Sequence, residues 1–135
     1  MDQTREGTCQ CGAVRYEVKG DPIMVVVCHC TDCQRHSGSA FGMSMIVPRE
    51  AFRLLRGDLK KFVRKADSGL CDSCAFCPEC GTRIYQEPEA IAGMVSVKPG
   101  TLDDTSLVRP TFQTWTARKQ PWLKLNPDVP TLEQQ

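Results

Sequence analysis

Val14, Tyr16 and Val18 alternate along the chain with Arg15, Glu17 and Lys19. A period of two sends successive side chains to opposite faces of an extended backbone, so this segment is predicted to be a half-buried strand. The other apolar runs are short. Residues 23–27 are β-branched and apolar and are predicted to be a central strand that runs directly into Cys28-His29-Cys30-Thr31-Asp32-Cys33. Further strands are expected at 41–47, closed by Pro48, at 82–86, at 91–97 before Lys98-Pro99-Gly100, and at 110–115. Residues 52–55 and 59–63 flank Arg56-Gly57-Asp58 and are expected to pair as a hairpin. The polar segment 35–39, with Gly38, predicts a loop or one helical turn, and residues 1–8 a loose leader. The Pro-rich tail from Pro121 on is expected to lie over the body, anchored by Trp122 and Leu123. No segment sustains a helical repeat, so the predicted fold class is all-β, with residues 1–135 forming one domain.

Charge and targeting signals narrow the function classes. Seventeen Lys and Arg against sixteen Asp and Glu leave a formal net charge of +1. That balance argues against a nucleic-acid or membrane partner recruited by net charge, although a local patch stays open. No apolar run approaches the roughly 20 residues needed to span a bilayer. The opening residues lack the charged-then-apolar order of a signal peptide. The expected compartment is therefore cytoplasmic, where thiols stay reduced.

Nine cysteines change the picture. Their number is odd, and their spacing is tight: Cys9-x-Cys11, Cys28-x-Cys30-x2-Cys33, and Cys71-x2-Cys74-x2-Cys77-x2-Cys80. In a reducing compartment such groups point to metal ions rather than to disulfides. Cys77-Pro78-Glu79-Cys80-Gly81 has the form of a zinc knuckle, two sulfurs on one turn with a glycine at the exit. A knuckle supplies two ligands, and Cys9 with Cys11, on a turn relieved by Gly12, is the matching pair. If those four close one site, Cys28, Cys30 and Cys33 form a three-sulfur set whose fourth position is open to water or substrate, the hallmark of catalytic rather than structural zinc. The bland alternative is that all seven thiols only hold the fold. Cys71 and Cys74 are surplus. They are read first as buried small residues, with a redox pair and a shifted metal site as alternatives.

The assembled motifs resemble the glutathione-dependent formaldehyde-activating enzyme family, which includes the centromere protein V relatives. The resemblance rests on Cys9-x-Cys11-Gly12, on the 28–33 motif with Gln34-Arg35 and Ser37-Gly38-Ser39-Ala40-Phe41, on Phe76-Cys77-x2-Cys80-Gly81-Thr82, and on Trp122 with its Pro-containing tail. It implies an Mss4-like (β-tent) fold stapled by zinc. It implies two Zn²⁺ ions, one structural at Cys9, Cys11, Cys77 and Cys80, and one catalytic at Cys28, Cys30 and Cys33. The implied activity is that of a carbon–sulfur lyase, adding a thiol such as glutathione to formaldehyde or a related small aldehyde. Cys71 and Cys74 depart from the family pattern.

On this reading, zinc held by three thiolates is a weak Lewis acid, which favours capture of the incoming thiol over polarisation of the carbonyl. Arg35, Arg49 and Arg83 are candidate carboxylate clamps, with solvated surface charge as the commoner role. His36 is a candidate acid or base, with a polar surface histidine as the commoner role; His29 is expected to point away from the metal; and Asp32 could orient a site proton, with a turn role the commoner one. The alternatives from other classes are a non-catalytic zinc module that binds a partner, and a thiol redox protein working through Cys71 and Cys74. Partners are expected to be a small thiol and an aldehyde, with no nucleic acid and no membrane. Exposed edge strands in a small β fold would permit a homodimer.

Overall fold

The computed structural model describes residues 3–66, 68–106 and 108–134. Among these residues, ten strands and one α-helix follow in chain order: β1 Thr4–Thr8, β2 Arg15–Lys19, β3 Met24–Cys28, α1 Thr31–Ser37, β4 Gly42–Pro48, β5 Phe52–Arg56, β6 Lys60–Lys65, β7 Cys71–Phe76, β8 Arg83–Pro88, β9 Met94–Val97 and β10 Phe112–Thr114. The all-β prediction holds, and no helix among the described residues is long and apolar enough to cross a membrane. The chain divides into two compact units, Met1–Ile23 with Met45–Leu107, and Met24–Ser44 with Val108–Gln135.

The first unit holds two antiparallel sheets. One has the order β1-β2-β5, and the other runs β4-β9-β8-β7-β6. The predicted alternation in β2 is borne out: Val14, Tyr16 and Val18 are fully buried. Tyr16 stacks on Phe52 at 5.2 Å, and Phe52 packs against Tyr85 at 4.7 Å. The Tyr16 hydroxyl shares a 2.6 Å hydrogen bond with Thr101, as a buried phenol must find a polar partner. Met45, Val47, Ile84, Val95 and Val97 complete this core.

Two expectations for this unit are corrected, and one strand is added. Residues 4–8 form a strand rather than a loose leader, with Gly7 directly opposite Tyr16. A Cβ on Gly7 would overlap the Tyr16 ring, so the missing side chain is what lets the ring lie there. The 52–55 and 59–63 segments are not a hairpin: β5 pairs with β2, and β6 pairs with β7 in the other sheet. Gly57 takes φ +89° at the corner between them, where a Cβ would lie 2.3 Å from the Ala13 carbonyl oxygen. Finally, Cys71 and Cys74 lie on a strand, β7, that the cysteine spacing had concealed.

The second unit carries the parallel pair β3–β10, in the register Val26 with Phe112, Val27 with Gln113 and Cys28 with Thr114. Val25, Val27 and His29 are buried on one face. The polar stretch after Cys30 is a seven-residue helix that begins inside the cysteine motif, a correction to the loop or single turn expected at 35–39. Trp122 is 70% exposed and so does not anchor the tail. Backbone hydrogen bonds do that instead, from Gln113 N–H to the Pro130 carbonyl and from Leu132 N–H to the Gln113 carbonyl, each 2.9 Å.

Candidate metal centres

Seven of the nine cysteines gather into two groups, Cys9, Cys11, Cys77 and Cys80 in the first unit, and Cys28, Cys30 and Cys33 in the second. Within each group the sulfurs all lie within 4.8 Å of one another.

The four-sulfur group is built from two turns. Gly12, at φ +84°, lets its N–H return to the Cys9 carbonyl, and the Val14 N–H donates to the Cys9 sulfur at 3.2 Å. In the knuckle, the Gly81 N–H returns to the Cys77 carbonyl at 2.8 Å. Thr82 joins the turns: its hydroxyl oxygen accepts from the Gln10 N–H and lies 3.1 Å from the Cys80 sulfur. Tetrahedral zinc with Zn–S near 2.3 Å sets sulfurs about 3.8 Å apart. Cys9 and Cys11 are 3.6 Å apart, and Cys11 and Cys77 are 3.8 Å apart, so the donor set fits such an ion. The Thr82 hydroxyl and N–H, with the Cys11 N–H, lower the Cys80 thiol to about 5.

The three-sulfur group sits where β3 hands over to α1. Cys30 occupies the helix N-cap, and its sulfur accepts the Cys33 N–H at 3.2 Å. A thiol thus fills the role that Ser, Thr, Asp or Asn usually plays, and the cap aims both sulfurs to one side. Gln34 secures the helix by donating to the His29 and Arg118 carbonyls. Gly42 packs against Cys33, where a Cβ would come within 3.1 Å of the Cys33 Cβ. Donation from the Cys30 and Cys33 thiols holds Cys28 down to about 2, while the neighbouring Cys28 and Cys30 sulfurs push Cys33 up. The set accommodates one thiolate readily and resists more, which is how a soft-cation site behaves before its charge is neutralised. Three thiolates supply zinc with three ligands of the four it requires, and no fourth His, Cys, Asp or Glu joins them among the described residues.

The other candidates separate clearly. His29 is fully buried, with Nε2 2.9 Å from the Gln113 Oε1 and its ring against Phe41, outside the sulfur cluster. Arg35 lines a shallow depression of about 370 Å³ with Thr31, Gln34, Gly38 and Ser39. At 100° per residue, Arg35 and Thr31 stand some 200° from Cys33, so that depression is on the other face of α1 from the sulfurs. His36, one turn beyond Cys33, is on the Cys33 side. Asp32 is exposed in the first helical turn. Arg49 and Arg83 belong to the first unit, where Arg49 pairs with Glu87 at 3.6 Å. Cys74 is buried, as expected, and its sulfur accepts from Gln86 Nε2 at 3.3 Å, while Cys71 is half-buried. Three residues apart on an extended strand, Cys71 and Cys74 point to opposite faces and stand about 10 Å apart, beyond disulfide reach. The redox pair is therefore excluded.

The cap formed by Cys30 and the clasp formed by Thr82 escaped the sequence reading. Thr82 follows the knuckle directly, and Cys30 precedes a run compatible with a helix, so both had a weak local signal.

This β protein carries one four-cysteine and one three-cysteine cluster, each of which could hold a soft metal ion. The profile of the family described as glutathione-dependent formaldehyde-activating enzyme matches residues 4–118, and the chain belongs to that family. The crystal structure of a Rhodobacter sphaeroides protein superimposes with a TM-score of 0.58 at 22% identity, over 78% of this chain and 91% of that one, and shares its fold.

Proposed function

We propose that the protein is a zinc-dependent carbon–sulfur lyase-type enzyme that adds a thiol, glutathione or a similar one, to formaldehyde or a related small aldehyde. The observation that carries this reading is the three-sulfur cluster, one ligand short of closure, in a chain of this family. Cys9, Cys11, Cys77 and Cys80 would hold a structural ion, and Cys28, Cys30 and Cys33 a catalytic one. Zinc at the open site would supply Lewis acidity and a place where a thiol ionises at neutral pH.

In the reaction the thiol S–H is lost, a C–S bond forms at the aldehyde carbon, and the former carbonyl oxygen takes the proton. Cys28, Cys30 and Cys33, where β3 passes into α1, would hold the metal. His36, on the Cys33 face of α1, is the titratable group we assign to carrying the proton from sulfur to oxygen, because histidine changes charge nearest neutrality. Arg35, facing away from the sulfurs, remains a surface charge.

Native mass spectrometry of the protein and of Cys30→Ser, paired with NMR exchange measurements on formaldehyde and glutathione, tests the assignment. Two metal ions falling to one in the variant, with accelerated exchange only in the wild type, is the expected result. One ion in both proteins would sink the catalytic-metal reading. Two ions without acceleration by any thiol would favour a zinc module that binds a partner.

A further inference from the structure

Six of the seventeen Lys and Arg fall within residues 53–65, at Arg53, Arg56, Lys60, Lys61, Arg64 and Lys65, with Asp58 as the single acid among them. The other eleven basic and fifteen acidic residues leave the rest of the chain at −4, so a near-neutral total conceals a stretch of +5. Four of these cations lie on β6, which has β7 on one side and, among the described residues, no strand on the other. Such an edge turns about half of its backbone N–H and C=O groups outward and unpaired. Lysines commonly guard sheet edges, but a guard does not call for apolar side chains in the open between them. Phe62 is 54% exposed and Val63 59% exposed.

The period of two sorts β6 into two triplets. Lys60, Phe62 and Arg64 project from one face, and Lys61, Val63 and Lys65 from the other, so each face reads cation, apolar, cation. Arg64 is paired with Asp72 at 3.3 Å and Lys61 with Glu87 at 3.9 Å. Among the described residues no carboxylate pairs with Lys60 or Lys65, and both are exposed.

We propose that β6 is a docking edge for an extended acidic peptide, which adds to the sheet as an outer strand with two central apolar residues flanked on each side by carboxylates. Side chains of an added strand also alternate between the faces, each beside its register partner. Its carboxylates meet Lys60 on one face and Lys65 on the other, its apolar pair lies against Phe62 and Val63, and its backbone takes up the outward N–H and C=O groups. The division of the cations between faces decides the class of partner. A phosphate backbone or a membrane plane approaches from one side and reaches one triplet, whereas a strand in the plane of the sheet reaches both. Strand β6 belongs to the unit without the three-cysteine cluster, so docking there is separate from the reaction proposed above.

The probe is a capped, fluorescein-labelled hexapeptide of two glutamates, two valines and two glutamates, titrated into the full-length protein in dilute buffer and followed by anisotropy. Hydrogen exchange read by mass spectrometry locates it. Saturable binding is expected, with exchange slowed in β6. Lys60→Glu combined with Lys65→Glu should weaken binding about tenfold, and a peptide N-methylated at both valines, its charge intact, should lose as much. Should the charge-reversed protein not fold, Lys60→Gln with Lys65→Gln gives the same decision: weaker binding supports the docking edge, and unchanged binding overturns it. No binding at millimolar peptide, equal affinity for the N-methylated peptide, or protection confined to other strands each overturns it too. Binding of oligouridylate or of phosphatidylserine vesicles that the peptide does not displace would assign the stretch to a phosphate-bearing partner instead. A dimer of the protein alone in the same buffer, with β6 already protected, would assign the edge to a second copy and likewise overturn the proposal.

Discussion

The two cysteine clusters share one device and differ in one count. In each, a backbone N–H donates to a sulfur at 3.2 Å, Val14 to Cys9 in one and Cys33 to Cys30 in the other. The first cluster joins turns 66 positions apart in the chain and brings four sulfurs together. The second is assembled from six consecutive residues and stops at three. On the proposed reading, long-range closure would fix the backbone, whereas a local and incomplete set would leave its metal a free valence. Stability and reactivity would then fall to different places in the sequence.

Removing one ligand from each cluster breaks the comparison most directly. Cys77→Ala should forfeit structural-metal binding energy on the order of ten kcal/mol, seen as loss of cooperative unfolding by circular dichroism. A variant that melts like the wild type would show that the four-sulfur cluster does not hold the fold. Gly57→Ala acts on the same region without touching a ligand, because its Cβ would strike the Ala13 carbonyl beside the Cys9–Gly12 turn. Left-handed strain and overpacking together should cost roughly 2–4 kcal/mol in urea unfolding, with both ions retained.

The core of the first unit adds a pH signature. Burial pushes the Tyr16 phenol up to about 12, against an ordinary value of 10.0, partly offset by the Thr101 contact. The folded protein therefore holds the proton more tightly than the unfolded chain. The corresponding stability is complete below pH 10 and is lost as pH rises toward 12, by roughly 2–3 kcal/mol in all. Urea unfolding of the wild type and of Tyr16→Phe between pH 9 and 12 should show this slope in the wild type alone. Smallest is the effect of Cys30→Ala, which deletes the N-cap acceptor of α1 and should cost about 1–2 kcal/mol while leaving the strand signal intact. A loss as large as that of Cys77→Ala would erase the distinction between the clusters.

Periodicity exposed β2, β3, β4 and β9 because each carries a clear apolar signature of its own. It missed β1, whose Thr4-Arg5-Glu6-Gly7-Thr8 sequence has no apolar face; that strand exists because its partner supplies one, with the Tyr16 ring lying over Gly7. The hairpin expected around Gly57 failed for a related reason. A turn signal fixes where the chain reverses, but the choice of strand partner was made by Val18 opposite Phe52 and by Cys74 opposite Phe62. The sulfur groupings were legible because metal ligation demands tight spacing. The pairing of Thr114 with Cys28 was not, since it arises from a register between strands 86 positions apart, as Val25 and Thr111 in the same ladder show.

Strand β6 stands at the end of its sheet, with β7 on one side, and leaves Phe62 and Val63 more than half exposed. Its sequence, Lys60-Lys61-Phe62-Val63-Arg64-Lys65, would adhere to a copy of itself but for its charge. Antiparallel self-pairing centred on Phe62 and Val63 sets Lys60 against Lys65 and Lys61 against Arg64. Asp72 on β7 and Glu87 on β8 answer Arg64 and Lys61, and self-pairing would still set the outer lysines against each other. Such repulsion acts through water and opposes self-pairing of the edge, and molar salt shortens its range to about 3 Å. Colloidal behaviour is thus expected to turn on six residues: light scattering should show the protein dispersed in dilute buffer and associating as ionic strength rises.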